Sequence, residues 1–346
     1  MSQAGAFRAQ GRACARLDSP FMARLMEALA ETWDADGPLG AEADGWATDL
    51  GPGGASLPLR IAGGLHALHL QGIDPALSAL FPPAAPGDSD LRHGVAATLE
   101  RHEDFLLDWM QRPPQTNEIR RSAVVIAAML LLADRFGLPF RLSELGASGG
   151  LNLMADRYAL QLGAHRYGPG EAAVTLSPDW EGPLPPRATL RVTDRRGVDL
   201  TPLDPTHPED RLRLLAYLWA DQPERLARTR AALQVHAAPV DAADAGAWLE
   251  SRLASPAPGA LHLVFHTIAW QYFSPETQAR ARVALDAAGA DATANAPLAW
   301  LGMEAAGLPQ GAALSLRLWP GDHRLDLGLA DFHGRWIRWQ AAARLP

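Results

Sequence analysis

The 346-residue chain carries 31 basic and 39 acidic residues, a formal net charge of −8, and a hydrophobic share of 48%. An acidic chain of this kind has no global attraction for phosphate backbones, which argues against nucleic acid as its main partner. Its apolar content is that of a protein with a full core. Every basic residue is Arg, so the absence of Lys excludes Schiff-base chemistry and a P-loop lysine. Cys14 stands alone, which forbids an internal disulfide and a thiolate metal cluster, and no metal site is expected. The first twenty residues contain no apolar stretch of signal-peptide type. The longest apolar run, 123–133, is too short to span a bilayer. These features predict a cytoplasmic protein with no membrane partner and say nothing of oligomeric state; the small-molecule substrate expected of it comes with the glycine turn at 144–150 instead.

The first hundred-odd residues read as helical. Ser19-Pro20 precedes a helix in which Phe21, Leu25, Leu29 and Trp33 recur at i+4. The segments 57–70 and 91–110 repeat that spacing, separated by Gly/Pro/Asp-rich loops at 49–56 and 81–90. After Pro113-Pro114 a further helix is expected from Thr116 or Asn117 to Gly137, with Pro139 just beyond. From residue 138 the pattern changes to alternating strands and helices. Strands are expected at 140–145, 197–200, 235–239, 261–266 and 298–303. Helices are expected at 151–162, 208–233, 243–253 and 275–288. The chain closes with strands joined by Pro-Gly and His-Gly turns. Alternation of this kind implies a parallel sheet covered on both faces, here with an antiparallel edge. The expected organisation is an all-helical region over 1–114 and an α/β domain over 115–346.

Between the first expected strand and its helix lies Glu144-Leu145-Gly146-Ala147-Ser148-Gly149-Gly150. Gly146-x-Ser148-x-Gly150 has the form of a nucleophile elbow, with Asp241 and His323 or His333 as conceivable partners. In hydrolases of that type several strands precede the elbow, whereas here about 140 helical residues do. A glycine turn after the first strand is instead where a Rossmann-like sheet holds a cofactor. An acid two residues before the first glycine is similar to the E/D-x-G-x-G-x-G pattern of class I S-adenosylmethionine (SAM) methyltransferases, with Ser148 for the central glycine. A serine permits close backbone approach if its φ is negative.

The segments QTNEIRRSA (115–123), ELGASGGLNLMADRY (144–158), GVDLTPLDP (197–205) and 219–225 carry a closer likeness. They resemble a bacterial family catalogued as domain of unknown function 2332, over the chain as far as about residue 275. The resemblance implies a Rossmann-like class I methyltransferase fold, a mostly parallel sheet with an antiparallel edge, with a helical N-terminal extension. SAM is the cofactor so implied. A fold of this kind that has lost catalysis and serves as a ligand-binding or regulatory module is the alternative.

On that reading Glu144, Gly146, Ser148 and Gly150 form the cofactor turn, Glu144 serving the methionine ammonium or, structurally, capping the turn. Asp199, at the end of the second strand, is placed to accept two ribose hydroxyls, with Asp194 its rival. Asp241 follows the third strand, where such folds set an acid against the adenine amino group; it or Asp244 could instead cap the next helix. His266 ends the fourth strand and is the candidate general base, against a buried structural histidine. Gln115, Thr116, Asn117, Glu118 and Arg120 crowd the start of the helix before the first strand and are candidate substrate contacts. His266, residues 115–118 and Ser148 are expected to line one pocket under the N-terminal helices. The insertion at 163–188 reads as a surface or substrate-side loop.

Overall fold

The computed structural model describes all residues except 47, 52–53, 308–310, 342–344 and 346, so part of the 49–56 loop lies outside the described residues. The chain divides into two units. One comprises Met1–Thr116 with Thr206–Ala227, the other Asn117–Pro205 with Arg228–Pro346. The sequence pattern expects one boundary near 114; the units part after Thr116, and the return of 206–227 to the first unit carries no signal in that pattern.

The first unit is helical: α1 (Gln3–Arg16), α2 (Pro20–Thr32), α3 (Pro38–Asp44), α4 (Leu57–Gln71), α5 (Pro75–Ser78), α6 (Asp88–Arg101) and α7 (Glu103–Trp109). In α2 the i+4 stripe of Phe21, Leu25 and Leu29 is buried, as such a stripe must be on a helix that packs along one side. Its N-terminus is satisfied from afar. Ser19 donates its hydroxyl to Asp221 Oδ1 at 2.5 Å, and Phe21 N–H donates to Oδ2 at 3.0 Å. The single helix expected over 91–110 breaks at His102, between α6 and α7, where Arg101 and His102 both reach Asp74. His66 and His69 stack with Phe81 on one flank of α4, and His66 Nδ1 lies 3.0 Å from the Ala216 carbonyl, a packing role. After the chain returns, α9 (Pro208–Ala216) brings Tyr217 against Trp109, and the Arg213 guanidinium sits 4.1 Å above the Trp109 ring.

The second unit is a mixed α/β structure built on a nine-stranded sheet. Its helices are α8 (Ser122–Phe136), α11 (Ala245–Leu253) and α12 (Pro275–Ala290), while α10 (Pro223–Gln234) crosses the unit boundary. In the sheet lie β1 (Phe140–Leu145), β5 (Asp179–Glu181), β6 (Val192–Asp199), β7 (Val240–Ala242), β8 (Leu261–Thr267), β9 (Leu298–Ala305), β10 (Ala312–Trp319), β11 (His323–Ala330) and β12 (Trp336–Trp339). The order is β5-β12-β11-β10-β9-β8-β1-β6-β7. Strands β9, β8, β1, β6 and β7 run parallel, and β9 to β12 form an antiparallel meander. No strand precedes residue 140 among the described residues.

Several expectations about elements need correction. The helix expected over 208–233 is two, α9 and α10, and the strand expected at 197–200 begins at Val192. The helix at 151–162 is absent: a 3₁₀ turn at Asn152–Arg157 leads into a small sheet of β2 (Ala159–Leu162), β3 (His165–Tyr167) and β4 (Thr175–Leu176). Arg195 ends that turn by holding the Leu153 carbonyl at 2.9 Å and both Asp156 oxygens. The 163–188 insertion is therefore not a loop, and its β5 pairs with β12 at the edge of the large sheet. The third strand lies at 240–242 rather than 235–239, so Asp241 is inside it. Lastly, α8 begins at Ser122, preceded by a 3₁₀ turn at Ile119–Arg121 that Glu118 caps. Its end at Gly137, in left-handed backbone, is as expected.

Candidate functional site

In β1 the side chains alternate between the two faces of the sheet. Glu144 pairs in register with Gly197 and Phe265, while Ser143 pairs with Val264. Glu144 and Phe265 therefore face one way, and His266 the other. The face of Glu144 is the one that Ser122 at the start of α8 reaches, through Asn152. On the opposite face Val264 and Leu145 pack with Leu249 of α11 and Leu285 of α12. Sequence spacing alone could not bring this out, since it depends on register. The expected meeting of His266 with Ser148 is not found.

The turn after β1 is stitched to β6: Gly146 N–H and Ala147 N–H both donate to the Val198 carbonyl, at 2.9 and 3.0 Å. Gly146, Ser148 and Gly150 have φ of +70°, +52° and +70°. The negative φ that close approach of a ligand at Ser148 would require is thus replaced by left-handed backbone, which costs a non-glycine residue about 1–2 kcal/mol. A Cβ on Gly146 would come within 2.5 Å of the Ala269 side chain, and one on Gly150 within 2.9 Å of Val240. Protein neighbours, rather than a ligand, demand both glycines. Ser148 N–H donates to Asp199 Oδ2 at 2.9 Å, and Thr201 N–H to Oδ1 at 3.0 Å. Asp199 is a clasp on the turn.

Glu144 is 2% exposed. Asn152 hydrogen-bonds its carboxyl and is itself held by the Ser122 hydroxyl at 2.7 Å; the other oxygen, Oε2, is buried without a partner. Burial pushes this carboxyl well above the usual carboxylate range. The Asn152 bond and the Arg121 charge pull it down, and the charge of Asp199 pushes it up. Arg121 is spent mainly on structure, donating to the carbonyls of Phe332 (2.8 Å) and Thr267 (3.0 Å). A buried carboxyl with one bare oxygen, beside a second carboxylate, is a place built to receive a proton or a cation.

The remaining candidates take other posts. Asp241 is locked by Arg196, at 2.6 and 2.7 Å, and by the Trp248 indole at 2.7 Å, which leaves it committed away from adenine; Asp244 caps α11. Asp194 pairs with Arg141 and Arg252. It sits opposite Arg141, four residues below Leu145, about 13 Å from the strand ends. Asn117 Oδ1 accepts the Leu151 N–H at 2.8 Å, so the start of the 117–136 segment does reach the glycine turn, as a clasp. Glu118 is buried and accepts from Arg120 N–H, and Arg120 lies against Gly334. Gln115 is half-buried and Thr116 exposed, at the end of the first unit.

His266 is buried on the face away from Glu144. The Trp300 indole, which can only donate, gives its N–H to His266 Nε2 at 3.0 Å. Nδ1 therefore carries the ring hydrogen and donates to Glu304 Oε1 at 2.7 Å. Both nitrogens are engaged, so the general-base role expected of His266 has no open nitrogen to perform it. Glu304 Oε1 also accepts from Ala269 N–H (2.9 Å) and Trp270 N–H (3.1 Å). Burial pushes the Glu304 carboxyl up, and these bonds, that of His266 foremost, outweigh it and hold the group below its ordinary range.

Residues 4–339 match the model of a family described as an uncharacterized protein conserved in bacteria, domain of unknown function 2332. The chain belongs to this family. The match runs well past residue 275 and takes in the antiparallel meander. No curated protein and no solved structure matches the chain. Among the described residues no group of three His, Cys, Asp or Glu is placed to hold a metal ion, and no helix is long and apolar enough to cross a membrane.

Within this family member, Asn152, Ser122, Arg121, Glu304, Trp270 and Trp300 shape the two sites, and the sequence motifs single out none of them. Glu304 carries the same signal as Glu144, an acid ending an apolar strand run, and could have been found by it. Asn152 gives no signal beyond its place after two glycines.

Proposed function

We propose that this protein is a SAM-dependent methyltransferase acting on a small or medium-sized molecule, through a Rossmann-like domain. The reading rests on one observation above all, the bare, buried oxygen of Glu144 at the carboxyl end of the central strand. Strand order supports it. From β1 the chain moves to β6 and β7 on one side, then crosses to β8 and β9 on the other, and open α/β sheets bind ligands outside the strand ends at such a reversal. Glu144, with Asp199 nearby, suits the cofactor's methionine ammonium; Asp199 keeps acceptor capacity for ribose hydroxyls. Asp241 does not suit the adenine end, and that contact is left unassigned. SAM would supply a methyl group already activated by the sulfonium. The chain's own part is to hold the charged end at Glu144 and to keep water from it, so that alignment does the rest.

Because Glu144 holds a proton into the range above its usual pKa, a cation bound there should expel it. Calorimetry with SAM and with S-adenosylhomocysteine at neutral pH, in phosphate and in Tris, should give different heats in the two buffers, reporting proton release. Glu144→Gln should weaken binding about tenfold or more and remove the buffer dependence. Neither heat nor a shift in melting temperature with either compound would sink the proposal. Binding with no methyl transfer to any acceptor would favour the non-catalytic module instead.

The left-handed Ser148 favours a second reading, since a nucleophile elbow holds its serine in such strained backbone. Labelling of Ser148 by a fluorophosphonate, lost in Ser148→Ala, would establish it; SAM binding that survives Ser148→Ala speaks for the first.

A further inference from the structure

On the face away from Glu144, a groove of about 530 Å³ runs across β9, β10 and β11, with His266, Trp270, Trp300 and Glu304 at one end. The methyltransferase reading makes no use of this groove, and the groove's chemistry is independent of it. The two indoles stand 5.3 Å apart between centroids, tilted at 51°. Beside them Glu304 is lopsided: three donors converge on Oε1, and Oε2 is buried with no partner. A carboxylate oxygen without a donor is costly in so apolar a setting, and Glu304 is among the residues that line the groove.

The charges along the groove point the same way. Arg317 and Arg324 line it, but Asp286 and Asp322 already offset those two guanidinium groups. Asp326 adds a carboxylate at the far end. Arg282, whose guanidinium already stands 5.1 Å from the Trp270 ring centroid, offsets one of the two carboxylates Glu304 and Asp326; the balance is still negative and lies next to indole rings, whose faces attract cations and whose area suits an apolar body. We propose that this groove binds a small organic amine, its ammonium directed at Glu304 and its apolar body against Trp270 and Trp300. A carboxylate of the same shape would be repelled, and a neutral analogue would lack the charge that selects the ligand.

The test is isothermal titration of the full chain at pH 7.5 with phenethylamine, 2-phenylethanol and phenylacetate. The amine should bind saturably, at least tenfold tighter than the alcohol, and phenylacetate should not bind. Glu304→Gln keeps an acceptor for His266, Ala269 and Trp270; it should bring the amine down to the affinity of the alcohol and leave the alcohol unchanged. Ser315 is an exposed position on the floor of the groove. Ser315→Phe should abolish binding of amine and alcohol alike with the unfolding transition unmoved. The proposal is overturned if the amine does not bind, if the alcohol or phenylacetate matches it, or if either variant leaves its affinity as it was.

Discussion

Glu144 and Glu304 end strands of the same sheet, one on each face, the first buried and the second partly buried; yet their carboxyls are pushed in opposite directions. Burial pushes both up, Glu144 the more deeply placed. What differs is the donor set: Glu304 gathers a histidine and two backbone N–H groups, while Glu144 has one asparagine and a neighbouring carboxylate. The end of β8 and the loop after it supply the donors to Glu304, and the turn after β1 spends its N–H groups on Val198 and Asp199 instead. Hydrogen bonds to the charged form, more than depth, decide whether a buried acid keeps its charge.

The comparison breaks most visibly if both acids are removed with the same result. Glu304→Ala strands several buried donors at about 1–3 kcal/mol each and should cost about 2–4 kcal/mol in urea unfolding. Glu144→Gln at neutral pH should cost nothing or stabilise. Equal losses would mean that Glu144 is as firmly ionised as Glu304.

A sharper version follows stability against pH. The folded pKa of Glu144 is raised, so the folded chain holds a proton that the unfolded chain releases above about pH 4.5. Wild type should then lose ground to Glu144→Gln by up to about 1.4 kcal/mol per pH unit above that point, until the folded pKa is passed. The folded pKa of Glu304 is lowered. Its contribution is complete above about pH 4.5 and fades as pH falls through the folded value, so Glu304→Gln should trail wild type at neutral pH and converge in acid. Parallel curves for the two variants would refute the assignment of opposite shifts.

His262 offers a milder check on the same face as Glu304. Burial, with Arg141 and Arg252 nearby, pushes its pKa well below 6.5, and Ser143 Oγ lies 2.8 Å from Nε2. Its contribution is complete above about pH 6.5 and is lost progressively below, because the unfolded histidine takes a proton that the folded one refuses. Wild type should lose ground to His262→Gln in melting temperature as pH falls from 7 to 5.5. Smallest of all is Ser148→Gly, which relieves left-handed strain and loosens the unfolded chain, with a net change within about 1 kcal/mol.

Much of the second unit was legible because its signals are local. The apolar runs at 140–145 and 261–266, Gly137 closing α8, and the turns of the meander each state their structure within a few residues. The helix expected after β1 failed because Arg195, some forty residues away, grips its second turn. The third strand was misplaced because the apolar run 235–239 lies before the segment that pairs with β6. The site was less legible than the fold. Whether Glu144 and His266 share a face is fixed by the pairing of β1 with β8, which leaves no mark in either strand. Asp199 and Asp241, expected from the sequence to face a cofactor, both hold protein groups.

The excursion of 206–227 bears on how the chain is made. Asp221 completes the start of α2 from 202 residues downstream of Ser19, and Tyr217 supplies a wall for Trp109. During synthesis the first unit cannot finish when its own 116 residues have emerged. It must wait with an open end while β1 and β6 are translated, and closes only as residue 227 leaves the ribosome. Domains usually fold in order from the N-terminus; here the earliest segment to appear is obliged to be completed late, and a nascent chain halted near residue 200 would expose an unfinished helical core.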